Sequence, residues 1–420
     1  MDIQALLQPT DCSCGKHHSC PIQQVYIERD ALSHLPQLCA AYENILLVAD
    51  ENTYGVSKEK LEKYLADKTV RTVIFSGKTI LIPNEDAIEA VQAKMDGIDL
   101  ILAVGSGVIQ DLCKCVSHYT GIPYMVVATA PSMDGYASSG AAMILAGMKE
   151  TVSAGLPLAI VADTEILKTA PLDMLQAGYG DIVGKYSALN DWKLSHIVND
   201  EYFCPYIYDT TYQAILDTLP RAKGILERDE ESIRILMEAL VGVGIMMSLA
   251  GSSRPASGSE HHLSHFFEIT GIVTDKPYFA HGIDVAYSTV VTAQIREELL
   301  QKDFPNTLYR PAQDALAAKI RSIYGPVADG CMALQEKVGN YAKDRAQLYK
   351  ANEQAIKKVL AEMPSAQQIE KILADIGLDM AAFYDMYGAE KINDAVWYAK
   401  DLKDRYTVLW LNYDLFCKGI

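Results

Sequence analysis

Four of the nine histidines lie between residues 261 and 281. In "SGSEHHLSHFFEI" (257–269), Ser257 and Glu260 stand at capping-box spacing, which predicts a helix starting there. His261 and His265 then fall at i and i+4 on one helical face. That spacing suits two metal ligands, or one ligand and one proton-transfer group. It also suits a pair of hydrogen-bonded helix histidines with no metal. His262 points away and reads as structural. His281 follows a loop containing Pro277, and Gly282 beside it allows a close backbone approach. The carboxylate that would complete a site is Asp181, set among Gly178, Gly180 and Gly184 in "AGYGDIVGKYSALNDW" (177–192). Glycines are costly inside a helix, so three of them predict that something packs closely against this backbone. An Asp/His/His set leaves one position open, the catalytic rather than the structural pattern for zinc.

A second run of soft ligands, "DCSCGKHHSCPI" (11–22), holds Cys12, Cys14, Cys20, His17 and His18. Its Cys-x-Cys and Cys-x5-Cys spacings do not match the C-x2-C pairs of common zinc sites. It precedes the first strand and reads as an N-terminal turn. Whether Cys12, Cys14 and Cys20 hold an accessory metal stays open.

Two loops look able to face a cofactor. "LILAVGSGVIQDLCK" (100–114) is a strand, then Gly105-Ser106-Gly107, then a helix carrying Asp111. Glycines there let the backbone approach a pyrophosphate, and a helix N-terminus offers N–H donors. Gln110 stands where a complete GxGxxG would have its third glycine. "ATAPSMDGYASSG" (128–140) follows the next strand, with hydroxyls on Thr129, Ser132 and Ser138 and one acid, Asp134. It reads either as a solvated loop or as a wall of the cofactor cleft. Asp50, ending "NILLVAD", is placed to accept adenosine-ribose hydroxyls.

These residues need elements to position them. "QQVYIE" (23–28), "NILLVA" (44–49), "TVIFS" (72–76), "LILAVG" (100–105) and "YMVVAT" (124–129) read as strands buried on both faces. "SKEKLEKYLAD" (57–67) and "NEDAIEAVQAKM" (84–95) read as intervening helices. "LPLAIVADTEIL" (156–167) reads as a last strand, and "AAMILAGMKETVS" (141–153) as a hairpin with Gly147 in its turn. Beyond about residue 166 only helical patterns follow, including a long apolar one at 232–251. The fold class predicted is an N-terminal doubly wound, mostly parallel α/β sheet (Rossmann-like, 1–165) plus an all-α domain (166–420). Ligands bind beyond the carboxyl ends of such strands, so a cleft between the domains is the expected active site.

The chain has 420 residues, half of them apolar and 22% charged, an ordinary globular balance. A net charge of −17 argues against a nucleic-acid or anionic-membrane surface. No run of about 18 apolar residues predicts a membrane span. The start shows no secretory pattern. Nine cysteines in so long a chain read as reduced thiols. A cytoplasmic enzyme is the expectation.

Taken together, "GSGVIQD", "TAPSMDGYAS", "GYGDIVGK", "SSRPASGSEHHLSH" and "HGIDVA" resemble the glycerol-1-phosphate dehydrogenase family. That family lies within the superfamily of iron-containing alcohol dehydrogenases and dehydroquinate synthases. The resemblance is strongest from about 100 to 285. It implies reversible reduction of dihydroxyacetone phosphate to sn-glycerol 1-phosphate by NADH or NADPH, in phospholipid biosynthesis, by a homo-oligomer (a dimer or larger). It implies Asp181, His261 and His281 as ligands of one divalent metal, zinc first and nickel second. By the same resemblance His265, Asp134 and Asp181 contact substrate. Gly105, Ser106, Gly107, Asp111, Thr129, Ser132 and Ser138 then contact the cofactor. Ser106 departs from the family's usual Gly-Gly-Gly.

The residue types fit that chemistry. A divalent metal held by one carboxylate and two neutral imidazoles keeps positive charge and polarises a ketone. His265 is then a member of the proton relay, catalytic beside Asp181. The phosphate needs cations: Arg254 is the first candidate, for its fork geometry, and Lys185 the second. A glycerol dehydrogenase, or another polyol dehydrogenase of the superfamily, is the nearest alternative. Dehydroquinate synthases normally carry glutamate where Asp181 stands. A catalytically silent nucleotide-binding protein is the remote alternative.

Overall fold

The computed structural model describes residues 1–79, 81–145 and 148–417, with only the backbone of 148–150. Gly147, the expected hairpin turn, lies outside the described residues. By packing, the chain divides into two units: residues 1–179 with 216–253, and 180–215 with 254–420.

The first unit is built on six parallel strands: β1 (Gln24–Glu28), β2 (Asn44–Asp50), β3 (Thr69–Phe75), β4 (Leu100–Gly105), β5 (Tyr124–Ala128) and β6 (Ala159–Asp163). Their order is β1-β6-β5-β4-β2-β3. The chain moves outward from β2 to β3 and the other way from β4 to β5. The reversal lies between β2 and β4, the switch point at which doubly wound sheets bind ligands. Ile45, Leu47 and Ala49 of β2, Leu102 and Val104 of β4, and Val127 of β5 pack with Leu61 and Leu65 in one core cluster. The alternate residues Leu46, Val48, Ile101, Ala103 and Val126 are buried too. Burial on both faces explains why these strands are nearly continuous apolar runs.

β3 differs from its expectation. It is an edge strand, and most of it is exposed, Val70 and Ile74 included. Its apolar residues look like a core strand's, but no strand covers its outer edge. The last strand ends at Asp163, which caps a short helix, Thr164–Leu167, through the Glu165 N–H. The hairpin is present, with strands Gly140–Leu145 and Met148–Ser153 antiparallel.

Helices α1 (Glu51–Tyr64), α2 (Glu85–Gln92) and α3 (Gly107–Thr120) connect the strands. The division between units falls within α4 (Leu172–Asn199). The long apolar helix is α5 (Glu230–Ala250), and it groups with the sheet. Among the described residues it is the one helix long and apolar enough to cross a membrane, yet 83% of its most apolar window is buried in the fold. An alanine at Gly244 would bring its Cβ to 2.7 Å from the Asp134 carbonyl, so α5 and the loop carrying Asp134 touch backbone to backbone.

The second unit is helical throughout its described residues. Its centre is α7 (His281–Leu300), buried on most faces. Against it pack α6 (Ser259–Thr274) and helices Glu353–Leu360, Ala366–Asp375 and Val408–Phe416. The capping box at Ser365 and Gln368 is formed. The one expected at Ser257 is not. Gly258 is the N-cap of α6, and the Glu260 carboxylate takes the Gly258 N–H at 2.7 Å.

Candidate metal centre and nucleotide loops

In the second unit α4, α6 and α7 bring Asp181, His261, His265 and His281 together. The glycines of α4 make this possible. An added Cβ at Gly180 would lie 2.5 Å from the Gly282 carbonyl, and one at Gly184 would lie 2.5 Å from Val285 Cγ1. The expected close approach to this stretch is therefore α7. Gly178 belongs to the first unit, and an added Cβ there would lie 1.9 Å from the Pro131 carbonyl of that same unit.

Asp181 is buried, and its Oδ1 lies 3.7 Å from His261 Nε2. The His261 and His281 ring centroids are 5.1 Å apart; His265 stands 5.4 Å from His281 and 6.3 Å from His261. His261 Nδ1 is 2.7 Å from Glu260 Oε1, and His281 Nδ1 is 3.3 Å from Ser264 Oγ. Both rings thus have Nδ1 beside a protein partner. A carboxylate behind a ligating imidazole fixes its tautomer and raises its basicity. These residues fit a divalent metal. His262 is fully buried, and neither ring nitrogen has a hydrogen-bond partner among the described residues. Burial first, then the charges of Lys403, Arg405 and Arg254, push its pKa well down, so the ring is neutral.

The two expected phosphate cations are engaged inside the protein. Arg254 is buried. Its Nε and Nη2 donate to Glu201 at 2.6 and 2.5 Å, its Nη1 to the Tyr406 carbonyl at 2.9 Å. This bidentate pair fastens the start of the histidine motif, a structural task beside the phosphate role expected of Arg254. Lys185 is fully buried, with Nζ 2.6 Å from Asp181 Oδ1 and 3.1 Å from the Ala256 carbonyl. It is held on the carboxylate and the motif loop.

In the first unit, Gly105 ends β4 beside the N-terminus of α3. A Cβ on Gly105 would lie 2.8 Å from Ile109 Cβ, so the turn needs glycine. The Ser106 side chain makes no capping bond, which leaves the amide donors of α3 facing the turn. That arrangement fits a pyrophosphate. Gln110 explains its place in the broken fingerprint: its Nε2 donates to the Gly135 and Tyr136 carbonyls at 3.1 and 2.9 Å, holding the second loop against α3. Within that loop Ser138 Oγ donates to the Gly135 carbonyl, and the Thr129 N–H donates to Gly105 O. Ser132 and Asp134 lie between them, half-buried.

Two acids expected at the cofactor have other partners. Asp50 caps α1, its Oδ1 accepting the Asn52 and Thr53 N–H groups at 2.8 and 2.9 Å while Thr53 Oγ1 accepts the Asp50 N–H. Asp111 receives Lys114 Nζ on Oδ1 at 3.2 Å and the Ala142 N–H on Oδ2 at 3.1 Å. For Asp50 the reason is its place at a helix start, where a carboxylate satisfies backbone donors; Asp111 instead ties its helix to the hairpin strand through Ala142.

The comparisons with known proteins follow this geometry. A protein named glycerol-1-phosphate dehydrogenase (NAD(P)+) from Geobacillus stearothermophilus is 30% identical over 374 residues, covering 87% of this chain and 86% of that one. The chain belongs to the glycerol-1-phosphate dehydrogenase family. A family member of the same name from Halalkalibacterium halodurans is 34% identical, covering 71% of this chain and 77% of its own. One from Thermococcus sibiricus is 33% identical, covering 67% and 81%. A broader profile, described as iron-containing alcohol dehydrogenase, matches residues 26–171. Among solved structures, an iron-containing alcohol dehydrogenase from Thermococcus thioreducens matches with TM-score 0.55 at 14% identity, covering 86% of this chain and 99% of that one. A glycerol dehydrogenase from Schizosaccharomyces pombe matches with TM-score 0.54 at 18% identity, covering 83% and 91%. These last two speak to the fold.

This family member carries supporting residues that the sequence reading passed over. Glu260 was read as a cap and is the partner of His261. Asp191 accepts from Arg296 Nη2, the Ser259 N–H and the Val408 N–H, at 2.7, 2.6 and 2.8 Å, and so anchors the start of α6. Arg405 Nη1 donates to the Ser257 carbonyl at 3.1 Å, and burial pushes its guanidinium down to about 10. Asp284, one turn beyond His281, accepts the Tyr387 hydroxyl on both oxygens at 2.7 and 2.9 Å. The polar residues 190–191 and 284, set within buried helical runs, were the available signal.

Proposed function

We infer that the protein is an enzyme, an NAD(P)-linked, metal-dependent glycerol-1-phosphate dehydrogenase that reduces dihydroxyacetone phosphate reversibly to sn-glycerol 1-phosphate. The observation that carries this is the 30% identity to a relative of that name across 87% of this chain and 86% of that one. Asp181, His261 and His281 are the proposed ligands of the divalent metal, supported by the closeness of Asp181 to His261 and of His261 to His281 and by the protein partners on both Nδ1 atoms. When bound, the ion supplies a Lewis acid for the substrate's C2 oxygen. The ligand set suits zinc, with nickel accepted by the same donors.

His265 is proposed to hold the proton delivered to that oxygen, since its ring lies in the same patch one helical turn from His261. Asp134 is proposed to contact substrate. The turn 105–107, with Thr129, Ser132 and Ser138, is proposed to receive the nicotinamide cofactor's phosphates and ribose. Gly105, with no room for a side chain, supports this.

The test is an assay of purified protein, stripped of metal and then restored with zinc or nickel, on dihydroxyacetone phosphate and on dihydroxyacetone, with NADH and with NADPH. Metal-dependent turnover of the phosphate is expected. Turnover of dihydroxyacetone alone would give the polyol dehydrogenase reading instead. Asp181→Asn is expected to lose bound metal and more activity than the ~10–100-fold that a supporting residue costs. Retained metal would remove Asp181 from the ligand set.

A further inference from the structure

The first unit carries another set of metal-ligating atoms, in the thiol-rich turn near the N-terminus. Residues Thr10–Asp11 and His17–His18 pair as a short antiparallel ribbon, with Thr10 opposite His18 and Asp11 opposite His17. The turn between them is closed by the Cys12 N–H donating to the Lys16 carbonyl at 3.0 Å and the Gly15 N–H to the Cys12 carbonyl at 2.9 Å. Gly15 sits at φ +84°, in the region that favours glycine. This turn carries both thiols of the Cys-x-Cys pair, and the returning strand brings His18 to them. The ligand atoms of Cys12, Cys14 and His18 all lie within 4.8 Å of one another, and Cys14 Sγ is 3.3 Å from His18 Nε2. A tetrahedral zinc ion with ordinary Zn–S and Zn–N bonds separates its ligands by about 3.5–3.8 Å.

His18 is oriented as a ligand. It is 2% exposed, and its Nδ1–H donates to the Leu249 carbonyl at 3.0 Å. That bond sets the tautomer with Nε2 as acceptor, facing Cys14, the arrangement found behind metal-bound imidazoles.

We propose that Cys12, Cys14 and His18 bind a zinc ion, distinct from the Asp/His/His centre, that fastens the N-terminal segment to the end of α5. Two thiolates and an imidazole favour a soft metal over a hard one. They neutralise the ion's charge, so the site is structural rather than Lewis-acidic. Three ligands leave one position for water or a further donor. The other two candidates in the run have separate engagements. His17 Nδ1 sits 2.8 Å from Asp11 Oδ1 on the exposed side of the ribbon. Cys20 lies outside the group of mutually close ligand atoms, and its side-chain partner is Ser248. The site was not legible from spacing because the third ligand comes from the opposite strand of a tight ribbon rather than from a second C-x2-C pair.

The test is cobalt substitution of the full-length protein, read by absorption and by metal analysis. Thiolate ligands give a near-ultraviolet charge-transfer band that an Asp/His/His centre does not. The wild type is expected to bind two cobalt ions per chain and to show the band. Cys12→Ser with Cys14→Ser is expected to lose the band and one metal, keeping the other. Cys20→Ser is expected to keep both metals and the band. Asp181→Asn is expected to keep the band, which separates this site from the proposed catalytic one. The proposal is overturned if the wild type shows no band with cobalt in excess, if mass spectrometry of the freshly purified protein shows a Cys12–Cys14 disulfide, or if the band depends on Cys20 rather than on Cys12 and Cys14. Should the double variant not fold, the wild-type and Cys20→Ser spectra still decide.

Discussion

Glu260 Oε1 lies 2.7 Å from His261 Nδ1, and the carboxyl group is wholly buried. Burial pushes its pKa up, while the Gly258 N–H, Ser187 and the Lys185 charge pull it back. The pair sets which nitrogen of His261 faces the metal patch. Glu260→Gln keeps the shape and removes the charge. It is expected to weaken zinc affinity by ~10–100-fold, measured by titrating metal-free protein, with kcat at saturating metal much less affected. Unchanged affinity would reduce Glu260 to a helix cap.

Gly180 tests the packing of α4 on α7. Alanine there must displace the Gly282 backbone or Ala286, whose Cβ would be 2.7 Å away. The overpacking is expected to cost ~1–3 kcal/mol, seen as earlier unfolding in denaturant. Because Gly282 adjoins His281, metal affinity should fall with it. Alanine at Gly155, where an added Cβ meets nothing within 4 Å, is the control and should do neither.

Arg254→Ala is expected to act on stability. It strips Glu201 of a two-pronged partner and frees the Tyr406 carbonyl. Breaking a fully buried pair costs ~3–5 kcal/mol; Glu201 keeps 29% of its side chain exposed, so the loss should lie below that range. The KM for dihydroxyacetone phosphate in the folded fraction should stay within about threefold, since a lost phosphate contact would cost more. A larger rise in KM with unchanged stability would restore the phosphate role.

Asp284 gives a pH dependence. Burial holds its carboxyl well above the usual range; the Tyr387 hydroxyl and Lys391 oppose this and Glu268 adds to it. The folded state therefore binds this proton more tightly than the unfolded chain. The stability that follows is complete below the ordinary carboxylate pKa and is lost as pH rises through the raised folded value. Asp284→Asn has no proton to lose. The wild type's stability relative to it should shrink as pH rises from the ordinary carboxylate range toward the raised folded value, measured by thermal unfolding. A constant gap would mean that Tyr387 holds the ionised form.

The sheet was legible because burial on both faces leaves an unmistakable pattern, as in β2 and β4. The same logic failed at β3, where Val70 and Ile74 are apolar yet exposed, because local composition does not tell an edge strand from a central one. At the site, the i,i+4 histidines and the glycines around Asp181 carried real information, since backbone contact with α7 excludes side chains. The ion pair of Arg254 was not legible because its partner, Glu201, lies far back in sequence. The cap at Asp50 was legible: Asp50 and Thr53 form a capping box written in four consecutive residues. Glu260 sat in plain view and was assigned only one of its two tasks.

The first unit is discontinuous, and that has a consequence for the order of synthesis. Its sheet is complete at Asp163, but α5, which packs against the loop carrying Asp134, ends only at Ala250. The intervening residues 180–215 belong to the other unit. At ~5–20 residues per second, α5 follows the sheet off the ribosome by roughly 4–17 s. During that interval the nascent sheet lacks its most apolar helix. The thiol-rich turn, whose His18 answers to Leu249 near the end of α5, cannot close until the same moment. This turn is thus made before the sheet and locked only after it.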